Sequence, residues 1–430
     1  MSDVCQWTVT LPPLWAIKPL KAVASYNVSN VDKIPAEDEL PVRLCNYTDV
    51  YNNEFITPTL ELMQTTATAH EIAKFRLQKN DIVITKDSES WDDIAIPALV
   101  TESADDLVCG YHLAIIRPEQ DKILGRFLLR CLQARTIRLQ FELAATGVTR
   151  FGLPKDEIGK LILPIPPLRI QKHIADSLDV ETAQIDALIE EKERMLALLE
   201  DKRTSLVSRA VIRGPNLNIL MKPSGLDWLG DIPAHWQVKR VKQLFAIRDE
   251  RSETGDEELL TVSHITGVTP RSEKEVFMFK AEDMTGYKLC YPGDLVVNTL
   301  WAWMGAMGVA SQHGIVSPDY HVYVSKGGLK PAYIEALCRS KPFVAEVIRH
   351  SKGVWSSRLR LYPEAFFDMR LPVPPLDEQD AIVTELTRER ARTAELEISL
   401  YRSIALLKER RSALITAAVT GQLAPEAMSA

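Results

Sequence analysis

The sequence predicts an α+β chain of two β-rich domains, each followed by a long helix, the helices pairing as an antiparallel coiled coil with pseudo-twofold symmetry. Three observations carry this. Residues 163–211 recur at 371–419, 208 positions later, with 19 identities in 49 ungapped positions. A repeat this long is a duplicated domain, since solenoid units have periods of about 20–50 residues. Each copy contains a long stretch without Gly or Pro, rich in the strongest helix formers, Ala, Leu, Glu, Lys and Arg. The segments ahead of the copies share alternating, strand-like runs. The boundaries expected are 1–162 for the first domain, 163–214 for its helical spacer, 215–370 for the second domain, and 371–430 for the second spacer and C-terminal tail.

Taken in order, Leu14-Trp15-Ala16-Ile17-Lys18-Pro19-Leu20-Lys21 reappears in outline as Trp236-Gln237-Val238-Lys239-Arg240-Val241-Lys242, so the duplication includes the globular parts. Val42-Arg43-Leu44-Cys45-Asn46-Tyr47 alternates as a strand does. Asn80-Asp81-Ile82-Val83-Ile84-Thr85 matches Gly293-Asp294-Leu295-Val296-Val297-Asn298, a turn feeding a buried strand. Tyr111-His112-Leu113 aligns with Tyr320-His321-Val322, which puts the two histidines at matching strand positions. Residues 124–143 and 332–349 read as helical.

Each long helix is announced by a Pro-rich run, Leu163-Pro164-Ile165-Pro166-Pro167-Leu168 and Leu371-Pro372-Val373-Pro374-Pro375-Leu376. Pro fixes φ and makes these runs extended. Leu178, Leu188, Leu199 and Leu206 in one copy, and Leu386, Leu396, Leu407 and Leu414 in the other, form heptad-like stripes expected to pair the helices or dock a subunit. Gly214-Pro215 and Gly421 stop the helices. A helix of about 43 residues spans about 65 Å, and its narrow stripe stays wet unless a second stripe covers it. The alternative is two separate arms, each docked on its own domain.

The chain has 430 residues, enough for two or three cores, with 46% hydrophobic and 25% charged residues, an ordinary soluble composition. No apolar run approaches the ~18–20 residues of a membrane span, and the N-terminus lacks a signal-peptide pattern, so no membrane association and a cytoplasmic location are expected. Cys5, Cys45, Cys109, Cys131, Cys290 and Cys338 lack CxxC or metal-ligand spacing and read as reduced thiols. The net charge of −7 argues mildly against a nucleic-acid binder, although a basic surface can coexist with an acidic total. The helix carboxylates Glu181, Glu190, Glu191, Glu193 and Glu200 suit a solvated face or one for another protein.

Catalytic motifs are absent. There is no GxxxxGK[ST], no GxGxxG after a strand, no Asp/Asn-Pro-Pro-aromatic and no HExxH. No catalytic residue, metal or cofactor is therefore expected, and His112 and His321 read as structural. Binding candidates do exist. Lys18 and Lys21 in one half, and Lys239, Arg240 and Lys242 in the other, either neutralise phosphates or solvate an edge strand. Gly147-Val148-Thr149-Arg150 and Gly353-Val354-Trp355-Ser356-Ser357-Arg358-Leu359-Arg360 are Gly-led basic loops just before the Pro-rich runs. Thr149, Arg150, Ser356, Ser357, Arg358 and Arg360 suit DNA contact there, Arg being best able to read guanine with two hydrogen bonds. An Arg near a domain junction can instead pair with a helix carboxylate. Asn46, Tyr47, Asn52 and Asn53 could hydrogen-bond bases or make turns. Trp301-Ala302-Trp303-Met304-Gly305 could stack on bases or belong to the core.

This layout resembles the specificity subunit of type I restriction–modification systems. The resemblance rests on the two Leu-Pro-(Ile/Val)-Pro-Pro-Leu runs, each followed by a Gln (Gln171, Gln379) and a long helix ending in Gly. Leu229-Gly230-Asp231-Ile232-Pro233-Ala234-His235-Trp236, Asn298-Thr299-Leu300-Trp301-Ala302-Trp303-Met304-Gly305 and Ser317-Pro318-Asp319-Tyr320 extend it over essentially the whole chain. The first half departs from it at Asn80-Asp81 and lacks the Trp-Met-Gly loop, as unlike target-recognition domains would. The resemblance implies a non-catalytic subunit that binds a bipartite, asymmetric sequence in double-stranded DNA, one half-site per target-recognition domain, with the helices as a ruler. It implies partners too: two modification subunits, supplying S-adenosylmethionine and adenine methylation, and restriction subunits with ATP-driven translocation.

Three rival readings remain at this stage. One is a single-chain nuclease or methyltransferase, which the missing motifs oppose. Another is a coiled-coil protein–protein adaptor that never touches DNA. The third keeps the family and removes the restriction subunit, leaving a methylation-only role.

Overall fold

The structure, a computed structural model, describes residues 11–216, 218–274, 283–355 and 358–423. The chain divides into two units: up to Lys192 with the stretch from Arg402, and Glu193–Tyr401. Each unit therefore holds one β-rich domain with part of both long helices, whereas the sequence segments kept each helix whole.

In the first unit β1 (Ala16–Pro19) pairs antiparallel with β13 (Ile162–Ile165). A five-stranded sheet runs in the order β2 (Ala24–Val28), β10 (Leu113–Pro118), β6 (Ile82–Thr85), β8 (Pro97–Val100) and β4 (Phe55–Ile56), antiparallel except for the last pair. Both β6 and β8 are buried at every position, as strands covered on two faces are. Ile82, Ile84, Ala114 and Ile116 share one core with α3 (Gly125–Gln133), α4 (Arg135–Ala144) and α5 (Lys155–Lys160). The alternate residues Val83, Ala98, Leu113 and Ile115 share another core with Val42, Leu44 and Phe75. That second layer is β5 (Met63–Ala67), β3 (Leu40–Cys45) and β9 (Leu107–Cys109), with α1 (Tyr47–Asn52) and α2 (Ala69–Phe75). Thr68 opens α2 with a capping box: its hydroxyl accepts from the Glu71 amide (3.2 Å), and Glu71 accepts from the Thr68 amide (3.0 Å). A short ribbon is made by β11 (Thr146–Gly147), β12 (Phe151–Gly152) and β7 (Asp87–Ser88).

The second unit repeats the frame. After the hairpin of β14 (Met221–Pro223) and β15 (Asp231–Pro233), β16 (Gln237–Arg240) pairs with β25 (Arg370–Val373). The central sheet is β17 (Phe245–Arg248), β24 (Tyr320–Ser325), β21 (Leu295–Asn298) and β22 (Met307–Val309), the same order as β2-β10-β6-β8. The hairpin β18 (Leu260–Ser263)–β19 (Gly267–Pro270) and the pair β20 (Lys288–Cys290)–β23 (Gly314–Val316) share a core with Val296 and Val322. The helices are α7 (Val241–Leu244), α8 (Pro331–Cys338), α9 (Lys341–His350) and α10 (Pro363–Asp368). No counterpart of β4 joins this sheet among the described residues.

Register corrects the expected match of the histidines. Ile84 pairs with Ala114, and its equivalent Val297 pairs with His321. His321 therefore stands where the first unit has Ala114, and His112 lies two residues earlier, ahead of β10. A slip of two keeps every side chain on its face, so alternation in the sequence cannot reveal it. The matched turns hold: Asn80 has φ +73° and Gly293 has φ +95°, a left-handed position that Gly fills freely and Asn tolerates. The following Asp is buried in both units. Asp81 accepts from Arg117 (2.7 and 2.8 Å) and Asp294 from Arg248 (2.9 Å), arginines supplied by different strands.

The stretches without Gly or Pro form α6 (Leu168–Arg213) and α11 (Leu376–Val419). In the second unit Arg209 meets Glu385 (3.4 Å) and Lys202 meets Glu389 (3.6 Å), so the helix segments there run antiparallel. In the first unit Arg411 meets Asp186 (2.9 Å), and Ile174 and Leu178 share a core with Ile415 and Val419. Leu206, Leu386 and Leu414 are partly buried, as are Leu199 and Leu407. Leu188 and Leu396 are not pairing residues by burial: they stand 47% and 46% exposed, while Ile185, Ile189, Leu400 and Ile404 are buried. An unsupercoiled helix drifts about 20° per heptad, which turns a strict Leu stripe off the packed face. Gly214 (φ +74°) ends α6 against Trp236, where a Cβ would lie 3.1 Å from the indole. Gly421 (φ +73°) follows α11 in the same way, its would-be Cβ 2.4 Å from Pro12 and 3.6 Å from Trp15.

Candidate nucleic-acid interface

The two Gly-led loops are hairpins at the same place in the fold, between α4 and α5 and between α9 and α10. In the first, Gly147 pairs with Phe151 and Thr146 with Gly152. In the second, Lys352 and Arg360 exchange backbone hydrogen bonds of 2.9 Å each. Each hairpin is closed by a glycine facing the carbonyl of an arginine. A Cβ on Gly147 would lie 2.0 Å from the Arg150 oxygen, and one on Gly353 would lie 2.5 Å from the Arg358 oxygen. The following valines stand almost free, Val148 at 91% and Val354 at 92% exposure, and Trp355 is 69% exposed. One frame thus carries two unlike tips. Ser356 and Ser357 lie outside the described residues.

Arg150, Arg358 and Arg360 make no ion pair with a helix carboxylate among the described residues. Arg150 Nη2 donates toward His112 Nε2 at 3.4 Å, and Arg360 Nη1 donates to the carbonyl of Leu359 at 3.1 Å. Thr149, Arg150 and Arg358 are exposed. The structure also brings Tyr47 to the first tip. Burial raises its pKa above the ordinary tyrosine value, and Ser88, Asp93, Arg150 and Asp87 lie near enough to act on it. Tyr47 stacks on Tyr51 (5.7 Å between ring centres), whose hydroxyl donates to Asp93 at 2.9 Å. Asn52 is exposed at the end of α1. Asn46 is buried at its start, where its amide donates to Asp49 (2.7 Å) and its side-chain nitrogen donates to the Leu44 carbonyl (3.3 Å). That is the turn-making role weighed for these asparagines.

Lys18 and Lys239 occupy equivalent positions, opposite Leu163 and Leu371 on the paired edge strands. Lys18, Lys21, Arg240 and Lys242 are exposed, and Lys239 is half-buried. Arg240 lies 4.0 Å from Asp368, and the others have no carboxylate ion pair among the described residues. Trp301 and Trp303 stack 6.2 Å apart; Trp303 donates to the Leu300 carbonyl (3.1 Å), and Trp301 is half exposed. Asp87, Lys86 and Tyr111 gather at the first tip without any signal in the sequence, since the contacts depend on strand pairing between β7 and β12. Among the described residues no group of His, Cys, Asp or Glu could hold a metal, and no helix is long and apolar enough to cross a membrane.

One frame thus occurs twice in the chain, with a different hairpin tip in each copy. Residues 15–196 match the model of the type I restriction modification DNA specificity domain. The chain is similar to the type I restriction enzyme EcoKI specificity subunit of Escherichia coli strain K12, 22% identical over 96% of this chain and 90% of that one. It is also 27% identical to the putative type I restriction enzyme MjaX specificity subunit of Methanocaldococcus jannaschii, over 39% of this chain and only 38% of that protein. A chain from a solved structure concerning complex assembly and conformational transition of the type I R-M system shares the fold, with a TM-score of 0.64 at 17% identity over 96% of this chain and 99% of that one. The matched domain and the similarity along the chain support a type I restriction–modification specificity subunit.

Proposed function

We propose that the chain recognises DNA for a type I restriction–modification complex. Each target-recognition domain reads one half of a bipartite, asymmetric target. The long helices pair as an antiparallel coiled coil that sets the gap and docks two modification subunits, with restriction subunits completing the nuclease in the cytoplasm. The observation that carries this is the pair of equivalent hairpins with different tips, Val148-Thr149-Arg150 in one and Val354-Trp355 with Arg358 in the other, on one repeated frame. Identical ligands need no such difference, and loops on a rigid scaffold are where recognition varies. Lys18 and Lys239, at equivalent sites, supply sequence-independent phosphate contacts. The test is methylation mapping of DNA from cells expressing the modification subunit with and without this chain. A bipartite motif that appears only with the chain is expected; a folded complex that produces no new motif refutes the reading and favours a protein–protein adaptor.

A further inference from the structure

We propose that Asp87 and His112 form a positioning pair that aims the guanidinium of Arg150, and that Arg150 reads a guanine in the half-site of the first domain. This rests on the reading of the chain as a DNA-recognition subunit and assigns one base contact within it.

The backbone of His112 is left-handed, with φ +69°. Non-glycine residues rarely adopt that conformation, and it persists where the surroundings over-determine it. Here they do. The His112 carbonyl accepts from the Lys86 amide at 2.9 Å, and Nδ1 lies 2.5 Å from Asp87 Oδ2. The Tyr111 ring packs on the imidazole, 3.7 Å between centres. Asp87 is itself fixed: its backbone pairs with Gly152 in the ribbon, and Oδ1 accepts from Lys86 Nζ at 3.1 Å. A Cβ on Gly152 would sit 3.0 Å from that oxygen, so glycine there makes room for the carboxylate.

The chemistry of the relay gives each atom a role. The Asp87 carboxylate engages Nδ1 and so fixes which nitrogen of the ring faces Arg150. Nε2 is the nitrogen that faces Arg150, whose Nη2 lies 3.4 Å away. An arginine serving only the fold would be better paired with Asp87 itself, since a charged acceptor is stronger than an imidazole. With the histidine interposed, the side chain of Arg150 is oriented through one nitrogen. His112 is its one side-chain hydrogen-bond partner among the described residues. A guanidinium carries five N–H donors, and guanine O6 and N7 take two in the major groove. The second unit has no such relay, because His321 lies within its sheet at the place of Ala114.

The test maps the methylated motif for the wild-type complex and for complexes carrying Arg150→Ala, Arg150→Lys, His112→Asn or Asp87→Asn. Asn tolerates the left-handed backbone, so the His112 variant removes the imidazole without forcing the turn. Expected is a relaxed guanine position in one half-site, with the other half-site unchanged as an internal control for folding. Arg150→Ala loses about ten- to hundredfold of the preference at that position, Arg150→Lys keeps part of it, and His112→Asn and Asp87→Asn lose it to a lesser degree. A merely structural role would reduce methylation at all bases alike. An unaltered motif with Arg150→Ala overturns the base contact while leaving the DNA-recognition reading intact. Relaxation with Arg150→Ala but none with His112→Asn and Asp87→Asn overturns the positioning pair. A wild-type complex with no chain-dependent motif overturns both the inference and the reading beneath it.

Discussion

Arg411 of α11 donates to Glu54 of the first domain at 2.5 Å, although 357 residues separate them. Glu54 also accepts from Arg130, which is buried and donates to Asp179 of α6 at 2.6 Å and to Thr182 at 3.2 Å. The first domain is thus joined to both helices through one ionic network. Burial opposes the charge of Arg411, but the two carboxylates win, and its pKa lies above the ordinary arginine value.

Replacing Arg130 by Ala leaves Glu54 and Asp179 without their shared cation. Breaking a buried pair costs about 3–5 kcal/mol, so a clear drop in the thermal midpoint of the first unit is expected. Arg203, the repeat partner of Arg411, pairs only with Glu200 of its own helix among the described residues. Arg203→Ala should therefore cost under about 1 kcal/mol. Equal losses in the two variants would show that the network contributes nothing special.

Gln171 and Gln379 are fully buried at the starts of α6 and α11 and make the same three hydrogen bonds. Gln171 accepts from the Leu124 amide (2.9 Å) and donates to the carbonyls of Lys122 (3.0 Å) and Pro166 (2.9 Å). Gln379 accepts from Lys330 (2.7 Å) and donates to Gly328 (2.8 Å) and Pro374 (2.9 Å). Each Gln→Leu change strands buried backbone groups at about 1–3 kcal/mol apiece. Hydrogen exchange should show matching loss of protection in the turns at 122–124 and 328–330.

Asn80→Gly should be neutral within about 0.5 kcal/mol, and Asn80→Ala should destabilise by about 1 kcal/mol, because Ala resists a positive φ. Denaturant midpoints of the two variants would separate backbone strain from loss of the amide side chain. Similar losses in both would place the role of Asn80 in its side chain instead.

His321 has its pKa lowered, chiefly by burial and then by Lys288. A folded-state pKa below the unfolded value of about 6.5 means that the unfolded chain takes up the proton more readily. The second unit should keep this stability above about pH 6.5 and lose it as the pH falls through that value toward the folded pKa. Thermal melts between pH 8 and 5 should show a shallower decline for His321→Gln. An identical decline would remove His321 as the source.

Much of the architecture was legible because it was written twice. The offset of 208, the Pro-rich runs and the Gly stops located both long helices, and paired strand motifs located the shared sheet. What stayed hidden depends on distance in sequence rather than on period. Alternation could not distinguish His112 from the place of Ala114, since a shift of two preserves both faces. Arg130 carries no signal in the sequence, and only the fold brings Glu54, Asp179 and Thr182 to it. The tip residues were visible as Gly-led loops, while Asp87 became part of that site through a two-residue strand.

Each unit draws on both helices, and the glycine after each helix abuts a Trp that opens a domain: Gly214 with Trp236, and Gly421 with Trp15. A single half of the chain therefore cannot complete itself, because the second portion of its helix belongs to the other unit. Expressed alone, such a half should associate as an exchanged dimer, two copies lending each other a helix end. In the full chain one sequence supplies both portions of both helices, so a change at one tip leaves the repeated frame of the other untouched.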